Sequence, residues 1–223
     1  MENASGAPSR LTPKGERTRG RIVEAAARLV YERGVAGTTL DDIRSEAGVS
    51  GSQLSHYFAG KDELVQAVID YQAAAITGNQ RQADLGSPEG LLAWRDAVIA
   101  QVRRGAGKGG CPLGSLAGQL AETDTQARSL LAAGFGEWSA AISDGLGRLH
   151  DAGHLRAGTN PDDLAVTLLA AVQGGLVLAQ VHRDTRPLEI AVDTLLELAG
   201  AGRQDAPADQ APDPSARRQA APG

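Results

Sequence analysis

The chain has 223 residues, with 22 Lys and Arg against 27 Asp and Glu, a formal net charge of -5, 3% aromatic residues and a single cysteine. One thiol cannot bridge within a chain, which excludes a disulfide scaffold, and 42% hydrophobic with 22% charged residues is a soluble composition able to bury a core. The opening stretch MENASGAPSRLTPKGER has no apolar run of the kind a secretory signal needs, so a cytoplasmic protein with a reduced thiol is expected.

Residues 1–11 read as a disordered arm. The first helix opens at Thr12-Pro13, where threonine suits the cap and proline the first helical position, and it ends at Gly34. Ile22, Ala25, Ala26, Leu29 and Val30 recur at i, i+3, i+4, i+7 and i+8, so one face is apolar; the other is rich in arginine. Charge is unevenly spread. Residues 1–61 hold nine basic and seven acidic residues, the remainder thirteen and twenty, and five basic residues fall between Arg10 and Arg21 against Glu16 alone. The acidic average therefore hides a basic amino-terminal end, and the two parts of the chain are expected to meet different partners.

A short helix follows Thr38-Thr39, with Asp42 placed to close a capping-box-like turn on Thr39, and it runs to Ala47 before Gly48 breaks it. Ser50 with Gln53 three residues on is again a capping pattern, and starts a two-turn helix from Gly51 to Phe58 with Leu54 as its buried anchor. A longer helix begins at Lys61. Further helices are expected from Ser87-Pro88 to about Arg104, around Leu113 to Ala121, from about Thr125 to Asp151, from Asn160-Pro161 to about His182, and from about Pro187 to Ala199. Residues 201–223 hold four of the ten prolines and no Leu, Ile, Val or Phe, so they cannot offset their ordering entropy by burial and read as a disordered tail. No convincing strand pattern is present, and an all-α fold is expected.

Two short helices joined by a glycine-containing turn, the first apolar at Leu40, Ile43 and Ala47 and the second polar except at Leu54, are what a helix-turn-helix requires. The second must be small and polar outside because it enters a groove lined by base edges and phosphates. Ser50, Gly51, Ser52, Gln53, Ser55 and His56 meet that demand. The segment resembles the amino-terminal domain of the TetR family of transcriptional repressors, whose pattern is met by Thr38-Thr39, Leu40, Ile43, Ala47-Gly48-Val49-Ser50, Tyr57-Phe58, Lys61, Glu63 and Leu64. It departs at Ser55, where an aromatic residue is common, and at Ser52, where glycine is frequent, so no operator sequence is inherited.

The resemblance implies a three-helix DNA-binding domain over residues 12–60 and a helical ligand-binding and dimerisation domain over 61–200. Thr38, Thr39, Tyr57 and Lys61 are expected on phosphates, Ser52, Gln53 and Ser55 toward bases, and His56 on either, with glutamine able to pair bidentately with adenine. Arg17, Arg19 and Arg21 would add phosphate or minor-groove contacts.

In the second part, Leu164 to Val181 is uncharged for eighteen residues, long enough to cross a membrane. Its glutamines, threonine and paired glycines favour a helix buried by a partner subunit. Leu168, Val172, Gly175, Leu176 and Ala179, with Ile190, Val192, Leu195, Leu196 and Leu198 of the last helix, are expected to form a four-helix bundle with their symmetry mates. GCPLGSLAGQLAETD, Gly110 to Asp124, resembles a signature of the TetR subgroup that includes the LmrA and YxaF repressors, in which the short helix transmits ligand occupancy. An apolar cavity for an uncharged small molecule would draw on Trp94, Val98, Cys111, Leu113, Leu116, Phe135, Trp138 and Leu176, with Cys111 as a buried small residue. Enzyme readings fail on the residues: a phosphate loop around Gly107-Lys108 would need glycine at Val102 and Ser or Thr at Gly109. Gly153 near the helix end turns His154 away from His150, so no metal site is expected, and no cofactor either.

The expected function is therefore a homodimeric repressor that binds a palindromic DNA operator and is released by a small hydrophobic effector. The alternative is a DNA-binding regulator that needs no ligand.

Overall fold

The computed structural model describes residues 11–202, so the expected arm and tail lie outside the described residues except at Leu11, Ala201 and Gly202. Ala201 is buried and its amide donates to the Leu196 carbonyl, so the packed chain extends one residue into the stretch expected to be disordered. The described residues form α1 (Pro13–Arg33), α2 (Leu40–Ala47), α3 (Gly51–Tyr57), α4 (Lys61–Gln82), α5 (Pro88–Arg104), α6 (Pro112–Leu120), α7 (Thr125–Asp151), α8 (Pro161–His182) and α9 (Arg186–Leu198), with no strand among them.

Local chemistry sets most of these boundaries. Thr12, Ser87, Asp124 and Asn160 each accept an amide hydrogen bond from the first turn of the helix they precede, satisfying donors that have no partner within the helix. Proline occupies the first turn of α1, α5, α6, α8 and α9, where its missing N–H removes nothing. Gly48 ends α2 at φ +62°, a left-handed conformation that glycine adopts without strain, and its amide returns to the Arg44 and Ser45 carbonyls.

Helix α1 packs on α2 and α4, forming the amino-terminal unit, while the rest of α4 lies along α7. α7, α8 and α9 are neighbours in turn, α5 leans on α9, and the short α6 is wedged against both α4 and α7. One continuous apolar core runs from Ile22 in α1 to Ala201, so α4 is a shared wall between the two units. α4 and the segment after it run in step with α7: a Cβ placed on Gly134 would stand 2.8 Å from the Ala73 Cβ, and one on Gly145 would meet the Leu85 Cβ just past the end of α4.

Gly175 is the closest approach of α8 to α9, since a Cβ there would lie 2.7 Å from Leu188 Cδ1 and 2.8 Å from its Cα. Backbone cannot yield as a flexible side chain does. Gly175→Val is therefore expected to force the two helices apart and to destabilise the protein by about 1–3 kcal/mol, lowering Tm by about 2–4 °C per kcal/mol. Gly136→Ala in α7, where a Cβ meets nothing within 4 Å, is expected to raise Tm slightly. Thermal melts of both variants check the pair.

Candidate nucleic-acid interface

The turn between α2 and α3 is built from two reciprocal caps. Thr39 Oγ1 accepts from the Asp42 amide while the Thr39 amide donates to Asp42 Oδ2 at 2.9 Å; Ser50 Oγ accepts from the Gln53 amide while the Ser50 amide donates to Gln53 Oε1 at 2.9 Å. Hydrogen bonds from the Thr39 hydroxyl and then its amide, with Arg33 nearby, hold the Asp42 carboxyl below the ordinary carboxylate range. Ile43, Ala47, Val49, Leu54 and Phe58 point inward and are buried. Their burial fixes the rotation of α3 and leaves Ser52, Gln53, Ser55 and His56 exposed on its outer face.

Ser50 Oγ and Ser52 Oγ stand 3.0 Å apart at the exposed start of α3. His56 and Tyr57 meet edge to face at 4.9 Å between ring centroids. Tyr57 is half-buried, and its hydroxyl lies 3.5 Å from where a Cβ on Gly15 would be, which brings the first turn of α1 beside α3. Lys61, also half-buried, opens α4. The Arg19 guanidinium sits 5.1 Å over the Phe58 ring, a cation–π contact that holds a positive charge next to α3. Arg17 is exposed on the same helix.

Thr38 does not join this face. It is fully buried and its hydroxyl donates to the Gly34 carbonyl at 2.9 Å, closing the end of α1, so a phosphate contact from it is corrected to a structural role. Thr39 is exposed, with its hydroxyl hydrogen directed to Asp42. Arg21, about 200° round α1 from Arg19, instead lines an open groove of about 580 Å³ between α1, α2 and α4, together with Glu24, Arg28, Tyr31, Glu46 and Tyr71. Arg28 and Glu46 are ion-paired across it.

In the second unit the residues expected around a ligand are brought together but as core. Leu113, Leu116, Trp94, Trp138, Cys111 and Leu176 are all less than a tenth exposed, and Val98 and Phe135 pack partly buried against them. The open groove of about 580 Å³ is lined by none of them, although Pro112 between Cys111 and Leu113 forms part of its wall and Leu116 lines a much smaller cleft beside it. Cys111 is the N-cap of α6, its Sγ accepting from the Gly114 amide at 3.4 Å.

Most of the expected dimer residues are also corrected, whereas Ile190 and Leu198 are exposed. Leu168, Val172, Ala179, Val192 and Leu196 are at most 2% exposed within the protomer, Leu176 is buried, Gly175 is closed by Leu188, and Leu195 is half-buried. They hold α8 and α9 to their own subunit. The apolar surface left open on these helices is Val166 (60% exposed), Val177 (58%), Leu178 and Val181 (71%) of α8 with Ile190 and Leu198 of α9.

Two contacts absent from the sequence expectations join the units. The Tyr31 hydroxyl donates to the Gly110 carbonyl at 3.1 Å, and Gln119 Oε1 accepts from the Val35 amide at 2.8 Å, tying the end of α1 to both ends of α6. Burial pushes the Tyr31 phenol up, with the Cys111 thiol adding to the shift. A tyrosine and a glutamine in unremarkable surroundings carried no signal of this pairing.

Residues 22–68 match the family described as bacterial regulatory proteins, tetR family, and residues 88–195 match the tetracyclin repressor-like C-terminal domain. An uncharacterized HTH-type transcriptional regulator from the lacX 3' region of Lactococcus lactis subsp. lactis is 30% identical over 185 residues, covering 80% of this chain and 91% of that protein. The regulator YxaF of Bacillus subtilis (strain 168) is 25% identical over 182 residues, covering 80% and 92%. SmeT, the repressor of a Stenotrophomonas maltophilia multidrug efflux pump, solved with triclosan, superposes with a TM-score of 0.61 at 22% identity, covering 88% of this chain and 100% of that one.

Proposed function

The chain belongs to the TetR family of helix-turn-helix transcriptional regulators, and from that premise we propose that it is a homodimeric repressor of a palindromic operator, released by a small effector bound in its second unit. It acts on DNA in the cytoplasm and has no catalytic role. The observation that carries the reading is the outer face of α3, where Ser52, Gln53, Ser55 and His56 are exposed on a helix whose apolar side is sealed into the core. Phosphates flank that face at Tyr57, Lys61, Arg17 and Arg19 and at the first turn of α1, whose amides carry partial positive charge. The acidic body, by contrast, repels DNA everywhere except at the reading heads.

Dimerisation supplies the second head. On α8, Val166, Ala170, Gly174, Val177 and Val181 recur at i, i+4, i+8, i+11 and i+15 as an exposed stripe of small and apolar residues, and Ile190, Thr194 and Leu198 continue it on α9. Paired about a two-fold axis, the four helices bury that stripe in an isologous bundle. α8 is long and apolar enough to cross a membrane, but its other side is fixed between α7 and α9, which supports a partner subunit rather than lipid. Effector occupancy reaches DNA through α6, because Tyr31 and Gln119 fasten its two ends to α1.

The test is polarisation binding to DNA flanking the protein's own gene, repeated across salt concentrations. Lys61→Met is expected to lower the slope of log K against log salt by about 0.9 for each subunit, since one phosphate is no longer neutralised. Tyr57→Phe is expected to weaken binding with the slope unchanged, because a hydroxyl releases no counterion. Unchanged slopes with Lys61→Met would remove lysine from the interface.

The close packing of Leu113, Leu116 and Trp138 favours a second reading, a regulator that needs no ligand. A thermal-shift screen of a broad library of small uncharged compounds separates the two: a ligand at a hundredfold excess over Kd stabilises by about 2.7 kcal/mol, and silence throughout supports the ligand-free reading.

A further inference from the structure

We propose that the effector is a flat, uncharged molecule presenting hydrogen-bond acceptor oxygens, held where α4, α7 and α8 meet by the Trp138 indole N–H, the Thr77 hydroxyl and the Gln173 carboxamide. The proposal rests on the ligand-responsive reading above and gives it a chemistry.

Thr77 Oγ1, Trp138 Nε1 and Gln173 Nε2 are buried side-chain atoms with no hydrogen-bond partner among the described residues. Such atoms carry a desolvation penalty that folding normally avoids by pairing them. The same chain does pair its other tryptophan: Trp94 Nε1 donates to Gln80 Oε1 at 2.6 Å. The lone indole N–H of Trp138 is thus not forced by its residue type.

α4 and α8 both pack along α7, which places the segments carrying the three atoms against one helix. α4 and α7 touch at Ala73 and Gly134, and one turn further along each stand Thr77 and Trp138. α6 brings the third: a Cβ on Gly114 would lie 2.5 Å from Gln173 Oε1, and the adjacent Leu113 reaches to 3.4 Å from where a Cβ on Gly134 would be. Gln173 therefore stands against the first turn of α6, and Thr77 and Trp138 stand one turn beyond the pair that this turn approaches.

Their chemistry defines the occupant. An indole N–H and a carboxamide NH₂ only donate, and a hydroxyl can donate, so the molecule must accept. Phe135 stacked against Trp138, with planes 13° apart and centroids 6.4 Å apart, offers a flat aromatic wall. The buried polar residues described are Thr38, Thr77, Gln80 and Thr185, none ionisable, so an ionised ligand would find no counter-charge. Entry requires Leu113 and the first turn of α6 to give way, and that turn follows the loop whose Gly110 carbonyl is held by Tyr31 of α1.

The experiment has two arms on the full chain. First, Thr77→Val and Gln173→Leu remove orphaned atoms with little change of shape, so the ligand-free double variant is expected to melt about 2–4 °C or more above the wild type. A variant that melts at or below the wild type would show these atoms satisfied within the protein and overturn the proposal. Second, 9-fluorenone and xanthone are compared with fluorene and xanthene, which share their ring frames but lack the carbonyl. The ketones are expected to bind at least tenfold tighter by thermal shift and to release DNA, and the double variant to lose that preference. Equal binding of ketones and hydrocarbons overturns the acceptor chemistry while leaving a ligand-responsive regulator intact. If neither set binds, the acceptor chemistry is again wrong, and the ligand-responsive reading itself falls only if the broad library screen is silent too.

Discussion

The double variant Val177→Asp/Val181→Asp is expected to be a monomer of 23.0 kDa by light scattering and to lose operator affinity by about 10²–10⁴-fold. Both side chains are more than half exposed on the protomer, so the subunit's own core is untouched and its helical circular dichroism should persist. In the proposed bundle they would lie one turn apart on the stripe that meets its symmetry mate, and each carboxylate would be buried without a partner. The affinity loss follows because two half-site contacts on one molecule act as one chelating event, and a monomer keeps only one of them. A double variant that remains dimeric would place the interface elsewhere than on α8 and α9. The comparison variant Val172→Asp should behave differently: that residue is 1% exposed within the protomer, and its replacement should unfold the subunit rather than dissociate a folded pair.

That contrast marks where sequence reasoning ran out. The helix boundaries were legible because capping is local: Thr12-Pro13, Ser87-Pro88 and Asn160-Pro161 state their function within a few residues, and each starts a helix in the structure. The recognition helix was legible for a related reason, since α3 has only Leu54 to bury among polar neighbours and its outward face follows. α8 offered no such asymmetry. Leu168, Val172, Gly175 and Ala179 face inward at i, i+4, i+7 and i+11, while Val166, Ala170, Val177 and Val181 face outward at i, i+4, i+11 and i+15, an equally helical pattern. A helix that is apolar all round carries no information about which stripe meets its own subunit. Only the seat of Leu188 against Gly175 decides it.

A similar ambiguity covered the ligand site. Leucine, tryptophan and phenylalanine serve equally as core and as cavity wall, so an apolar composition could not separate them, and the structure packs most of them as core. The informative residues were the exceptions, Thr77 on the buried side of α4 and Gln173 within the uncharged run of α8, where polarity in an apolar register needs a partner. Thr38 failed in the opposite direction. Of two adjacent threonines only one can cap α2, and the inner one turns back to the Gly34 carbonyl.

Gln53 is expected to be the residue whose replacement changes sequence preference most: it caps α3, and the base reading proposed for it is a second task that alanine cannot separate from the first. Its Oε1 accepts from the Ser50 amide, fixing the start of α3, while the side chain as a whole stands exposed on the reading face. A carboxamide oxygen has a second lone pair and the NH₂ keeps both hydrogens, so the cap and a bidentate contact to adenine are compatible, and the cap holds the reader in place. Gln53→Ala removes both: operator affinity should fall by about 1–3 kcal/mol, preference at the contacted base should relax, and Tm should drop with the lost cap. Gln53→Glu is the decisive variant. Glutamate at this position of a capping box keeps the Ser50 contact, so Tm should hold, but it replaces a donor to adenine N7 with an acceptor and adds charge beside the phosphates. Affinity for the native site should then fall at least as far as with alanine, and preference at that base pair should move toward cytosine, whose N4 amino group a carboxylate can accept from. A selection from randomised duplexes reads the shift directly. If Gln53→Glu selects the same sequences at the same affinity as wild type, the side chain is a cap alone and the base contacts of α3 must come from Ser52, Ser55 and His56.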